Sequence, residues 1–128
     1  MQIFGIGIDV VEIERIEESI EKFGDKFLDR LFTPEERAYC DSQKLPHVNY
    51  AGRFAVKEAV AKSFGTGIGK ELSWLDMTIL RAPSGQPTVV FTGAGKVFME
   101  NQNITSVKIS LTHAKQYAAA NAIAMTEL

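Results

Sequence analysis

The chain has 128 residues and a mass of 14.1 kDa, which suits one domain over 1–128 with a modest core. A formal net charge of −2 and a pI of about 5.7 exclude a general nucleic-acid binder, so any basic docking patch is expected to be local. Its single cysteine, Cys40, allows no intramolecular disulfide, the two histidines leave structural zinc short of ligands, and no run approaches ~20 apolar residues; the expectation is a cytoplasmic protein without a membrane contact.

Phe4, Ile6, Ile8 and Val10 alternate with Gly5, Gly7 and Asp9, so the first element reads as a strand whose apolar side is expected to be buried. Asp9 is then a carboxylate at a strand end, where the small glycines let another group approach closely; alternatively it caps the next helix. The glycines do not open a dinucleotide fingerprint, because the third glycine position is occupied by Val10. Ile13, Ile16, Ile20 and Phe23 follow helical spacing up to Gly24, and Phe27, Leu28, Leu31 and Phe32 continue as a short helical piece. Thr33-Pro34-Glu35-Glu36 combines an N-cap, a proline at the first helical position and a glutamate at N3, which starts another helix. Pro46 separates it from a long helix ending at Phe64. Beyond it, 77–81 and 88–92 are β-rich and flank a six-residue connection; 93–101 reads as a short helix, and a further strand ends near His113. The alanines of 117–125 favour helix, but their place after a turn in a run of strands favours a last strand.

The richest chemistry lies in Arg53 to Gly69, RFAVKEAVAKSFGTGIG. At ~100° per residue, Lys57, Glu58 and Lys62 fall in one arc, opposite Val56, Ala59, Val60 and Phe64. Gly65 stands where a left-handed cap is wanted, and Thr66, Gly67 and Gly69 can bring backbone N–H groups close to an anion. A carboxylate among cations fits a divalent cation plus phosphate, and the plain alternative is a Glu58–Lys62 surface ion pair.

GIDVVEIERI, GRFAVKEAVAKSFGTGIG, GQPTVVF and SLTHAKQYAAA, in this order from about residue 5 to about residue 125, resemble the short, AcpS-type class of 4′-phosphopantetheinyl transferases. The resemblance implies an α+β fold with helices in the first half packed on a mainly antiparallel sheet, a last strand over 117–125, and a homotrimer that binds its donor between subunits. It implies transfer of the phosphopantetheine arm of coenzyme A to a serine of apo acyl carrier protein, in support of fatty acid biosynthesis, with release of adenosine 3′,5′-bisphosphate. Asp9 and Glu58 would hold Mg2+, which takes only one or two carboxylates beside phosphate oxygens, and Lys62 would neutralise the pyrophosphate. The base is open between Lys62 and a metal-bound water. Arg53 and Lys57 would face the nucleotide end of the donor, with Gly65, Thr66, Gly67 and His113 also near it; the plain alternatives are a solvated helix start for the two cations and an ordinary strand-end histidine. Arg15 and Lys22 on the first helix would dock the acidic carrier, supplemented by Lys26 and Arg30. Ser110 and Thr112 lack an acid near His113 for a nucleophilic triad, His47 is expected to be structural, and Trp74 is expected in the core. Two other classes stay open: a coenzyme A or nucleotide-binding module, and a structural oligomer. The joint presence of Asp9 and Glu58 favours the enzyme.

Overall fold

The computed structural model describes residues 1–127. Strand β1 (Gln2–Glu12) runs directly into helix α1 (Ile13–Phe23), which Gly24 ends with a positive φ of 56°. Helix α2 (Asp25–Leu31) and helix α3 (Pro34–Asp41) follow. The start of α3 has its reciprocal cap: the Thr33 hydroxyl accepts from the Glu36 N–H, and Glu36 Oε1 accepts from the Thr33 N–H at 2.8 Å. Helix α4 (Pro46–Phe64) is the longest at 19 residues, begins on its proline and ends on Gly65 in the left-handed conformation, φ 76°.

After α4 come a short 3-10 turn (Trp74–Asp76), the hairpin β2 (Met77–Arg81) and β3 (Pro87–Phe91), helix α5 (Gly93–Asn101), and the strands β4 (Ile104–His113) and β5 (Tyr117–Thr126). The ambiguous alanine-rich segment is thus a strand. The hairpin connection spans 82–86, one residue shorter than expected, because Pro87 pairs with Arg81. Strands β1, β5 and β4 form one antiparallel sheet in that order, and β2 and β3 form a second. The fold is α+β, with the helices of the first half against antiparallel strands.

The alternation in β1 is present, but its faces are reversed. Ile3, Ile6, Ile8 and Val10 are 57–65% exposed on this chain, whereas Gly5, Gly7 and Asp9 face α4. A Cβ at Gly5 would collide with the Ser63 carbonyl, and one at Gly7 with the Ala59 carbonyl, so only glycine permits the helix to lie this close. Strand β5 continues the shallow surface: Ala118, Ala120, Ala122 and Ala124 are buried, and they pair with Val11, Asp9, Gly7 and Gly5 respectively. Two apolar clusters meet at α4. One joins its C-terminal part, including Val56, Val60 and Phe64, to the sheet and hairpin; the other joins Tyr50 and Ala51 to Ile13, Ile16, Leu28 and Phe32 of the first helices.

Because elements cover α4 on several sides, the single charged face expected for it does not exist. Its residues from Tyr50 to Phe64 that reach solvent are Phe54, Glu58 and Lys62, spaced four apart on one stripe. Trp74, expected in the core, is half-buried: it packs against the cluster of the first helices and stacks on Phe54, ring centroids 5.3 Å apart, at the border of this stripe.

Candidate active site

The close contact of α4 with β1 brings together Asp9, Glu58 and Lys62. Asp9 lies inside β1, three residues before its end and paired with Ala120, so it caps no helix; the residue before α1 is Glu12. Lys62 Nζ donates to Asp9 Oδ1 at 3.1 Å and to the Ile8 carbonyl at 3.0 Å. The lysine therefore pairs across to the strand, and the expected surface pair with Glu58 is not the arrangement seen. Its side chain remains 51% exposed, with a third N–H available, while that of Asp9 is 16% exposed.

Glu58, half-buried on the same stripe, has its carboxyl pKa raised, first by burial and then by the negative charge of Asp9, with Lys62 acting in the opposite sense. Two carboxyl groups beside one lysine leave the group short of positive charge. Asp9 and Glu58 fit Mg2+ in number and chemistry, and no cluster of three or more acid, histidine or cysteine ligands occurs among the described residues.

The glycine loop contributes less than its composition suggests. The N–H of Gly65 donates to the Lys62 carbonyl at 3.0 Å, that of Gly67 to Ala61 at 3.3 Å and that of Gly69 to Leu72 at 2.9 Å. These amides close the loop and are not turned outwards to an anion. Thr66 donates its hydroxyl to the Gly67 carbonyl at 2.8 Å. What the glycines provide is a backbone at positive φ, 76° at Gly65 and 64° at Gly67; a Cβ at either would meet nothing within 4 Å.

Lys57 is a correction. It was expected beside Glu58, but it points into the molecule, fully buried, and its Nζ donates to the Leu31 carbonyl at 2.7 Å, Glu36 Oε1 at 2.7 Å and the Trp74 carbonyl at 3.1 Å. All three N–H groups are used, which leaves none for a ligand. Burial lowers the lysine pKa, and the charge and hydrogen bond of Glu36 oppose that shift. Glu36 Oε2 also accepts from the Ile79 N–H at 2.9 Å, so the pair ties α3, α4, the Trp74 turn and β2 together. The wheel placed Lys57 at the rim of the charged arc; what it could not supply was Glu36, 21 residues away, waiting on the other side.

Arg53 and His113 come together elsewhere. They line a cavity of about 330 Å3 with Tyr39, Arg81, Leu111 and Thr112, apart from the Asp9, Glu58 and Lys62 group. Arg53 is 8% exposed, its guanidinium lies 4.4 Å from the centre of the Tyr39 ring, and its Nε has no partner among the described residues. A buried guanidinium without an ion-pair partner among the described residues, on a residue that lines a cavity, is suited to an anion. His47 pairs with Glu17 at 3.5 Å, outside both groups, and Ser110 bonds Asn121 at 2.6 Å in the sheet.

The family model of the 4′-phosphopantetheinyl transferase superfamily matches residues 5–122, a span that contains Asp9, Arg53, Glu58, Lys62 and His113. The chain belongs to this superfamily. It is 46% identical over 121 residues to the holo-[acyl-carrier-protein] synthase of Chlamydia trachomatis serovar L2, covering 94% of this chain and 98% of that one. The crystal structure of the Neisseria meningitidis holo-[acyl-carrier-protein] synthase superposes with a TM-score of 0.92 at 35% identity, covering 97% of this chain and 99% of the other. The Helicobacter pylori holo-[acyl-carrier-protein] synthase, solved in complex with coenzyme A, gives a TM-score of 0.84 at 38% identity over 94% of this chain and 99% of its own. As in these transferases, helices of the first half pack on antiparallel strands.

The role of Lys57 is testable by stability. Lys57→Met strands the Glu36 carboxylate in the core and is expected to destabilise the fold by about 3–5 kcal/mol in urea unfolding. A variant as stable as the parent, with a raised KM for the donor, would return Lys57 to the ligand set.

Proposed function

We propose that the chain transfers the 4′-phosphopantetheine group of coenzyme A to a serine hydroxyl of apo acyl carrier protein, with Mg2+, releasing adenosine 3′,5′-bisphosphate and serving fatty acid biosynthesis. The observation that carries this reading is the meeting of Asp9, Glu58 and Lys62 at the α4–β1 contact, in a chain 46% identical to a holo-[acyl-carrier-protein] synthase.

In the reaction the serine oxygen attacks the phosphorus bearing the pantetheine arm, and the bond from that phosphorus to the leaving nucleotide oxygen breaks. Mg2+ held by Asp9 and Glu58 would supply Lewis-acid charge neutralisation at the pyrophosphate. Lys62 adds a second positive charge with its remaining N–H. Its hydrogen bonds to a carboxylate and a carbonyl suit it to charge neutralisation ahead of proton abstraction. The serine proton passes to water on this reading.

Arg53 and His113 would receive the nucleotide end of the donor. Because they lie apart from Lys62 on one chain, the reading joins one subunit's carboxylates and lysine to the neighbour's Arg53 and His113, in a homotrimer. The exposed row Ile3, Ile6, Ile8 and Val10 on β1 supports burial against another copy, since apolar side chains at 57–65% exposure form a patch that monomers rarely leave open. Among the described residues no helix is long and apolar enough to cross a membrane.

For the carrier, Arg15 and Lys22 border one shallow depression on α1 together with Glu18, Ser19 and Phe23, and Arg15 lies 3.9 Å from Glu12. Phe23 also lines the adjoining groove of Lys26, Phe27, Arg30 and Trp74, and Trp74 stacks on Phe54, one turn before Glu58. The groove of Lys26 and Arg30 is basic and apolar and leads from the mixed-charge face of α1 towards the acids, suited to an acidic partner with apolar anchors.

Incubation with apo acyl carrier protein, coenzyme A and Mg2+ should raise the carrier's mass by one phosphopantetheine arm. Lys62→Ala should lose about 2–4 kcal/mol of transition-state stabilisation, and an unmodified carrier with the parent protein would reject the reading. Arg15→Glu should raise the KM for the carrier and flatten its salt dependence while leaving coenzyme A binding unchanged. Unaltered carrier kinetics at low salt would move the dock to Lys26 and Arg30.

A further inference from the structure

We propose that Tyr39 is a positioning residue that sets two guanidinium groups, those of Arg53 and Arg81, as a seat for a phosphomonoester dianion. The proposal rests on the reading that the Arg53 cavity takes the nucleotide end of the donor. Tyr39 was not prominent in the sequence, yet it touches both cations. Its ring lies under the Arg53 guanidinium at 4.4 Å, and its hydroxyl accepts from Arg81 Nη1 at 3.1 Å. All three residues line the same cavity with His113.

The charge balance of the cavity points to an anion. Arg53 is 8% exposed and makes no ion pair among the described residues, and its Nε lacks a hydrogen-bond partner. The stacked ring stabilises the cation without consuming any of its in-plane donors, so the guanidinium edge stays available. Arg81 reaches the cavity from β2, and its anchoring to the Tyr39 hydroxyl uses one donor of five. Arg37, by contrast, is neutralised by Asp25 and Asp29.

Coenzyme A offers two kinds of phosphate. Each phosphate of the pyrophosphate carries one charge, and Lys62 with the cation site accounts for these. The monoester on the ribose carries close to two charges at neutral pH and three terminal oxygens, which match two planar forks better than a single ammonium. The arrangement therefore selects for the phosphate that distinguishes adenosine 3′,5′-bisphosphate from adenosine 5′-monophosphate.

Isothermal titration of the full-length protein with these two nucleotides, beside transfer kinetics with coenzyme A, tests this. The parent should bind the bisphosphate more tightly. Tyr39→Phe keeps the ring and removes the acceptor for Arg81; it should weaken the bisphosphate by about threefold to tenfold and the monophosphate far less. Tyr39→Leu removes the ring as well and should lose about a further threefold to thirtyfold. The loss should appear in KM for coenzyme A and not in kcat, and Arg81→Met combined with Tyr39→Phe should be no worse than Arg81→Met alone, because without Arg81 the Tyr39 hydroxyl has no guanidinium to position. Tyr39→Phe retains the apolar packing, so the test survives if Tyr39→Leu does not fold. Equal weakening of both nucleotides would assign Tyr39 to stability alone and overturn the proposal, as would additive losses in the double variant or a parent without preference for the bisphosphate. A clear preference in a protein that transfers nothing to the carrier would uphold the seat and reject the transferase reading.

Discussion

The close approach of α4 to β1 is the constraint on which the rest depends. A helix can lie this near a strand only where the strand offers no side chain, and Gly5 and Gly7 offer none to the Ser63 and Ala59 carbonyls. The buried alanines of β5 extend the shallow bed. Once α4 is seated, Lys62 reaches Asp9 and the Ile8 carbonyl across the contact, and Glu58 comes near enough to Asp9 for their charges to interact. The same seating turns Ile6 and Ile8 outwards, because a strand that gives its small residues to the helix must give its large ones to the opposite face.

Opposite the strand, α4 is held by the Lys57–Glu36 pair. A buried pair of this kind adds little net stability compared with apolar residues of the same size, but breaking it is costly, so it acts as a register pin. Its bonds reach Leu31, Trp74 and Ile79 besides the α3 cap. One face of α4 thereby carries structural charge and a different one carries the charge suited to chemistry, within two adjacent residues, Lys57 and Glu58.

Much of this was legible in the sequence. Local signals with a mechanism held to the residue, Thr33, Pro34 and Glu36 for the start of α3 and Gly24 and Gly65 for helix ends, and the strand expected to end near His113 is β4. The meeting of Asp9 with Glu58 and Lys62 was readable because short motifs carried it. What failed was direction. Period two in β1 says that two faces differ, not which one meets the helix, and the glycines were the clue that small residues were needed on the inside. A helical wheel assumes one solvent side, which a helix covered on several sides does not have. The Gly65–Gly69 amides looked free because their acceptors, Lys62, Ala61 and Leu72, follow from loop geometry that composition does not encode. Tyr39 and Arg81 belong to no motif, and only the fold brings them to Arg53.

The central claim is that seating α4 on the glycine face of β1 builds one cation site from Asp9 and Glu58. Electron paramagnetic resonance of Mn2+ titrated into the protein with coenzyme A measures this without reference to turnover. The account predicts one tight Mn2+ per chain in the parent, weakened at least tenfold in both Asp9→Asn and Glu58→Gln while each variant keeps its fold, and weakening in the parent as pH falls and Glu58 takes up its proton. Parent-like Mn2+ binding in either variant would contradict it.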